Sequence, residues 1–279
     1  MANLKDFRRE VKIHFAQSLC RFEGIYLTDI QTEKLLNKEN FEMLDFPEEE
    51  SLVIDNVVNT LNYMESLDIS HLDVDLDLYI KLNSMLAKDQ ALFTGVLRNG
   101  LSSIPCIGQI PVPDEAKVEE EIAKLNSVSP DNYKSVVSEC FCNLSRLQPF
   151  WDGNKRTTLF LCNVQLIKND FDLLIIQKDK YADFEEYLTA FYTEENNDII
   201  DYLAENCFVK TEMEKKSSRM AYMNERIQLK AEASKEIDEE TQNQASTESP
   251  RMAMMRRNME KNNARENVIS TSQKKGKSR

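Results

Sequence analysis

The sequence predicts an all-α domain interrupted by one small β-hairpin and followed by a charged, disordered tail. Three observations carry that expectation. Apolar residues recur at three- and four-residue spacing through most of the first 210 positions, the period of an amphipathic helix. Glycine and proline cluster in one stretch, where Gly95, Gly100 and Gly108 are three of the chain's six glycines. Beyond about Thr211 the apolar content thins, and from Arg251 the chain holds nine Lys/Arg against two Glu. Low hydrophobicity and like charge favour disorder there.

Residues 4–24 read as a first helix, with Phe7, Val11, Phe15 and Phe22 as its apolar row and Glu23-Gly24 as its end. Thr28-Asp29-Ile30-Gln31 has the form of a capping box, so a second helix should start there. Pro47 and the acids Glu48, Glu49 and Glu50 suit the first turn of a third. Its apolar row is Leu52, Val53, Val57, Leu61 and Met64. Leu76 to Leu86 forms a fourth. Between Gly95 and Pro113, the turn residues alternate with Ile104, Ile107 and Ile110. This is read as a short hairpin or extended flap, the only β-structure in the chain. Helix resumes from Asp114 to about Asn126, and again where Tyr133, Val136, Val137, Cys140, Phe141, Leu144 and Leu147 share a face. Leu159 to Ile167 is apolar nearly all round and must be buried. Further helical patterns lie at about 180–206, and residues 211–240 would be a solvated helix.

A net charge of −13 over 279 residues argues against wholesale nucleic-acid coating. There is no apolar run of membrane-spanning length and no apolar signal core at the amino terminus. The six cysteines show no CxxC spacing and read as reduced structural thiols in a cytoplasmic protein. His14 and His71 are the only histidines, too few for a histidine-rich zinc site.

Chemistry is expected at Arg146 to Thr158, a polar loop between the amphipathic helix and the buried one. It offers a carboxylate, a glycine, an amide and two cations at the amino end of a buried helix. Free N–H groups and the helix dipole attract anions at such an end.

Gln148-Pro149-Phe150-Trp151-Asp152-Gly153-Asn154-Lys155-Arg156 resembles the signature of the Fic/Doc (Fido) superfamily, H-x-F-x-[DE]-G-N-[GK]-R, at every defined position but the first. The resemblance covers about residues 10–205. It implies N-terminal helices over 1–90 with an inhibitory-helix remnant, a Fic core over 91–210, and a tail over 211–279. It also implies ATP and Mg²⁺ as cofactors and transfer of AMP to a Ser, Thr or Tyr hydroxyl of a target protein. In the death-on-curing subgroup a phosphate is transferred instead. Asp152 would be the metal ligand. Gly153 would let backbone N–H groups approach the phosphates, and Asn154 would add a donor. Lys155 and Arg156 would neutralise charge on phosphoryl oxygens. Phe150 would point into the core. Leu97 to Pro113 resembles the target flap, whose tip (Ile104, Pro105, Cys106, Ile107, Gly108) would pair with an extended target segment. A homodimer or an antitoxin are the other partners implied, with no membrane. Nucleic acid or an acidic surface would be reached only through the basic tail.

Three departures from the family pattern matter. Gln148 replaces the histidine that serves as general base, and losing a base costs a factor of about 10²–10⁴. Gln148 could still orient the acceptor hydroxyl. Leu159 stands where many AMP-transferring members carry a second arginine. Glu23-Gly24 resembles the end of the inhibitory motif [ST]-x-x-x-E-[GN], with Leu19 at the Ser/Thr position. With Leu159 opposite, Glu23 is expected to lack its ionic partner. The alternative that follows is a catalytically inactive module that binds a nucleotide or a peptide.

Overall fold

The computed structural model describes residues 9–37, 46–104, 107–194 and 196–210. The described residues all fall within one compact unit. The solvated helix and basic tail expected beyond 211 lie outside the described residues, as do Phe7, Pro105 and Cys106.

Nine α-helices account for most of the described chain: α1 (Arg9–Arg21), α2 (Asp29–Leu36), α3 (Glu48–Ser66), α4 (Leu76–Leu86), α5 (Glu115–Leu125), α6 (Tyr133–Leu147), α7 (Asn154–Lys168), α8 (Tyr181–Glu194) and α9 (Asp198–Asn206). The Thr28 capping box forms as the sequence predicts. Its hydroxyl accepts from Gln31 N, and the Gln31 side chain accepts from Thr28 N at 2.9 Å. Asp75 and Asp114 cap α4 and α5 with one side-chain oxygen each, accepting from Leu78 N and Ala116 N. Each cap satisfies an otherwise orphaned backbone donor.

Helix α7 is the axis of the fold. All its residues but Lys155 and Lys168 are buried, and α1, α4 and α6 pack around it. Several of its polar side chains bond to neighbouring elements. Thr158 Oγ1 lies 2.6 Å from Tyr79 Oη on α4. Asn163 donates to Leu174 O and accepts from Leu174 N. A buried amide satisfied at both ends fixes the docking of the next segment.

That segment corrects one expectation. The flap, β1 (Ser102–Ile104) with β2 (Gly108–Ile110), is an antiparallel hairpin in the register Ser102 to Ile110. It is not the only β-structure. Leu173–Leu174 (β3) pairs antiparallel with Phe208–Val209 (β4), and Ile175 N donates to Cys207 O. Four consecutive residues, Leu173 to Ile176, are buried. An apolar run with no alternation gives a helix or a buried strand equally well, so the pairing was set by where α9 returns the chain.

Candidate functional site

The loop between α6 and α7 is shaped by two left-handed residues. Gln148 ends α6 with φ 47°, and Gly153 precedes α7 with φ 72°. At Gly153 the glycine is required twice over. L side chains rarely adopt that φ, and an added Cβ would come within 3.0 Å of Ala87 Cβ. No side chain caps the first-turn donors of α7, and the Asp152 carboxylate, which accepts from Gly153 N, stands at its positive end.

Asn154 ties the loop into a knot. Its Oδ1 accepts from Phe150 N at 2.8 Å, and its Nδ2 donates to Phe150 O and to Gln148 Oε1, both at 2.9 Å. The Gln148 amide nitrogen in turn donates to Ser145 O at 2.7 Å. Phe150 is 1% exposed, with its ring centroid 4.8 Å from that of Tyr79. The loop therefore hangs on a core anchor and a satisfied amide pair.

Arg156 is completely buried. Nη1 donates to Leu86 O at 2.7 Å, and Nη2 donates to Gln90 Oε1 at 2.5 Å. Asp152 Oδ1 stands 3.4 Å from Nη2, and Glu23 Oε1 stands 2.9 Å from Nε. The Glu23 carboxylate lies off the N–H axis, so this is a charge contact rather than an aligned hydrogen bond. Lys155 is half-buried, with Nζ 5.4 Å from the centre of the Phe22 ring. Burial lowers the Lys155 ammonium from its ordinary value, while Glu23 and Glu185 pull it back up.

Two residues that the sequence reading did not single out hold this assembly to its neighbours. Asn83 on α4 donates to Asp152 O at 2.9 Å and to Thr157 Oγ1 at 3.2 Å, and its Oδ1 accepts from Gly95 N. Arg98, 2% exposed, donates through Nε to Gln148 O, through Nη1 to Gly100 O and through Nη2 to Pro111 O. One guanidinium thus clamps both roots of the flap onto the carboxyl end of α6, where the helix dipole favours a cation. Burial pushes Arg98 down from its ordinary range.

No protein-family model matches the sequence, and no curated protein matches it. Solved structures do. The fold is similar to that of a segment of Fic-1 from C. elegans, at 15% identity and a TM-score of 0.56 over 72% of this chain. A Fic family protein from Desulfovibrio desulfuricans aligns at 17% identity and a TM-score of 0.52 over 71%. A Fic domain containing signaling protein from Bacteroides thetaiotaomicron aligns at 15% and 0.56 over 72% of this chain and 88% of its own. This chain has the Fic fold. It spans 62% of the length of each of the first two structures.

Within the Fic fold the residues named from sequence fall as follows. Gln148, Asp152, Gly153, Asn154, Lys155 and Arg156 gather at the loop and the start of α7. Glu23 reaches the same place from the turn after α1, where Gly24 takes a left-handed φ of 74°. The expectation that Glu23 would lack a partner is overturned: Arg156 pairs with it. The sequence pattern offered only position 159 as its partner, but Leu159 is a wholly buried core residue. Ile104, Ile107 and Gly108 belong to the flap. Neither His14 nor His71 is among the partners of Gln148, Asn154 or Arg156. The signal for Asn83 was present, an amide on the buried face of α4 beside Tyr79 and Leu82. For Arg98 there was none, because an arginine near a glycine reads as solvated.

The donor set fits magnesium with a nucleotide triphosphate. Magnesium takes one or two carboxylates plus phosphate oxygens and water. Asp152 Oδ2 has no partner among the described residues, and its side chain is 37% exposed.

Proposed function

We propose that this chain is a Fic-family protein that holds ATP with Mg²⁺ at residues 152–156. On this reading it transfers AMP to a Ser, Thr or Tyr hydroxyl of a target protein, at a rate lowered about 10²–10⁴-fold by Gln148. The observation that carries the reading is the uncapped start of α7, set beside Asp152, Lys155 and Arg156 by the left-handed turn at Gly153. Phosphates are held where backbone donors, the dipole and cations converge. ATP supplies the group to be moved, and magnesium supplies charge neutralisation between its phosphates.

The chain's own residues would do the rest. Asp152 would present Oδ2 to the cation, and Lys155 would lie along the phosphates. An extended target would add to the flap hairpin. Beside that hairpin a groove of about 510 Å³ runs between the flap, α5 and α6, walled by Ile107, Ile110, Val112 and Leu147. Its apolar walls and the rim acids Asp114 and Glu120 suit side chains of such a segment.

A second reading, a module that binds the nucleotide without turnover, is favoured by the amide knot. Both polar atoms of Gln148 are bonded within the protein, and a carboxamide cannot accept a proton near neutral pH.

The test uses the full chain with ATP labelled at the α or the γ phosphate, supplied with cell lysate, alongside calorimetric titration of ATP. The Gln148→His variant is carried through the same assays, histidine being among the residues that tolerate a left-handed backbone. Transfer of the α label, raised about 100-fold or more in Gln148→His, supports AMP transfer. Transfer of the γ label instead assigns a phosphotransferase of the death-on-curing kind. Saturable ATP binding with neither label transferred by either form leaves the binding module. Absence of ATP binding ends all three readings.

A further inference from the structure

A separate groove of about 870 Å³ lies between α1, the start of α2 and the turn at residues 177–179. It shares no lining residue with the loop at 148–156. At its base is Arg21, 3% exposed. Nη1 donates to Ile176 O at 2.6 Å, while Nε is buried with no hydrogen-bond partner. Among the described residues Nη2 makes no hydrogen bond, and Asp179 acts on the guanidinium only at longer range. The Tyr181 ring, 5.7 Å away, covers one face. Burial lowers Arg21 from its ordinary range. A buried cation with spare donors and no carboxylate in direct contact is costly unless an anion completes it.

The rim states what kind of anion. Lys178 adds a second positive charge, and two acids stand with the cations: Asp29, whose Oδ1 accepts from Gln17 Nε2, and Asp179, whose Oδ2 lies 3.7 Å from Lys180 Nζ. A polyphosphate would meet both acids, whereas a single carboxylate on Arg21 with an ammonium towards the acids would be complementary throughout. Beside them Tyr26 and Ile30 stand 57% and 68% exposed, with Leu27 below, an apolar strip for the body of a ligand.

We propose that this groove binds a small zwitterionic carboxylate with an aromatic or branched apolar body. The carboxylate lies on Arg21, the ammonium faces Asp29 and Asp179, and the body covers Tyr26, Leu27 and Ile30. The proposal does not depend on the nucleotide reading.

Calorimetric titration of the full chain with L-phenylalanine tests it, with 3-phenylpropionate (no ammonium) and phenethylamine (no carboxylate) as the comparison probes. Saturable binding of L-phenylalanine is expected, with Kd of about 0.1–1 mM. Phenethylamine should bind about 10- to 100-fold more weakly, because the charge-assisted bond to Arg21 is lost. 3-Phenylpropionate should also be weaker. Arg21→Gln should lose affinity by a similar factor. Because that residue is buried and the variant could misfold, Tyr26→Ala, at an exposed rim position, provides a second arm and should weaken binding several-fold with melting unchanged. No saturable binding of L-phenylalanine, equal affinity for all three probes, or undiminished affinity in Tyr26→Ala would overturn the proposal.

Discussion

Glu23 Oε1 stands 2.9 Å from Arg156 Nε, across the gap between the end of α1 and the first turn of α7. With Leu86 O on Nη1 and with Gln90 and Asp152 on Nη2, the protein itself engages most of the guanidinium. An incoming phosphate must compete with the glutamate for it. Glu23 is one-third exposed, so solvent screens part of the attraction. Glu23→Gln keeps the shape and removes the charge. ATP affinity should rise about two- to fivefold, measured by calorimetry. Unchanged or weaker binding would show that the pair does not compete with nucleotide.

Gly153→Ala should destabilise the fold by about 1–3 kcal/mol, the cost of a left-handed non-glycine residue plus a close Cβ contact. Urea denaturation reads it. Combining it with Ala87→Gly relieves the 3.0 Å contact but not the φ of 72°, so recovery should be partial. Full recovery would place the whole cost in packing.

Arg98→Lys keeps the charge and loses the fork that reaches Gln148 O, Gly100 O and Pro111 O. An ammonium cannot span three carbonyls in that geometry. Hydrogen exchange at the flap residues 100–111 should accelerate at least about tenfold, as one or two charge-assisted bonds are lost. The core of α7 should be unaffected. Unchanged flap exchange would mean that the hairpin holds without its clamp.

Alkali should unfold the protein from about pH 9 upward. The thiols of Cys20, Cys140 and Cys207 are pushed up from 9.0 to about 12 by burial, and Cys142 and Cys162 also rise. Between 9 and 12 the folded chain keeps protons that the unfolded chain releases, so stability is full below pH 9 and falls as pH rises. Lys155, Arg21 and Arg98, lowered by burial, act in the opposite sense, but they stand against five thiols and the raised phenols of Tyr79, Tyr133, Tyr181 and Tyr202. Urea midpoints at pH 8, 9.5 and 10.5 should fall in that order. A flat or rising series would contradict the burial of the thiols.

Much of the fold was legible because its signals are local. The Thr28 capping box, the limits of α4 and the glycine-proline hairpin each depend on residues a few positions apart. The loop at 148–156 was legible as a polar turn into a buried helix because helix starts and glycines announce themselves in sequence. The β3–β4 pair was not, since Leu173-Leu174 and Phe208-Val209 acquire their partners only when α8 and α9 bring the chain back. Arg98 was missed because its bonds go to backbone carbonyls, which have no residue-type signature.

By itself, the sequence determined which side chains stand at the loop and that no histidine is among them. Gln148, Gly153 and Arg156 have those identities whatever the chain does. Only the tertiary structure decided how they are spent. Gln148 is bonded to Ser145 O and Asn154, and Arg156 is held by groups from α1, α4 and the segment that follows it. A side chain's partners are set by packing between elements far apart in the chain, and charge pairing at 3 Å follows from that packing rather than from spacing along the sequence.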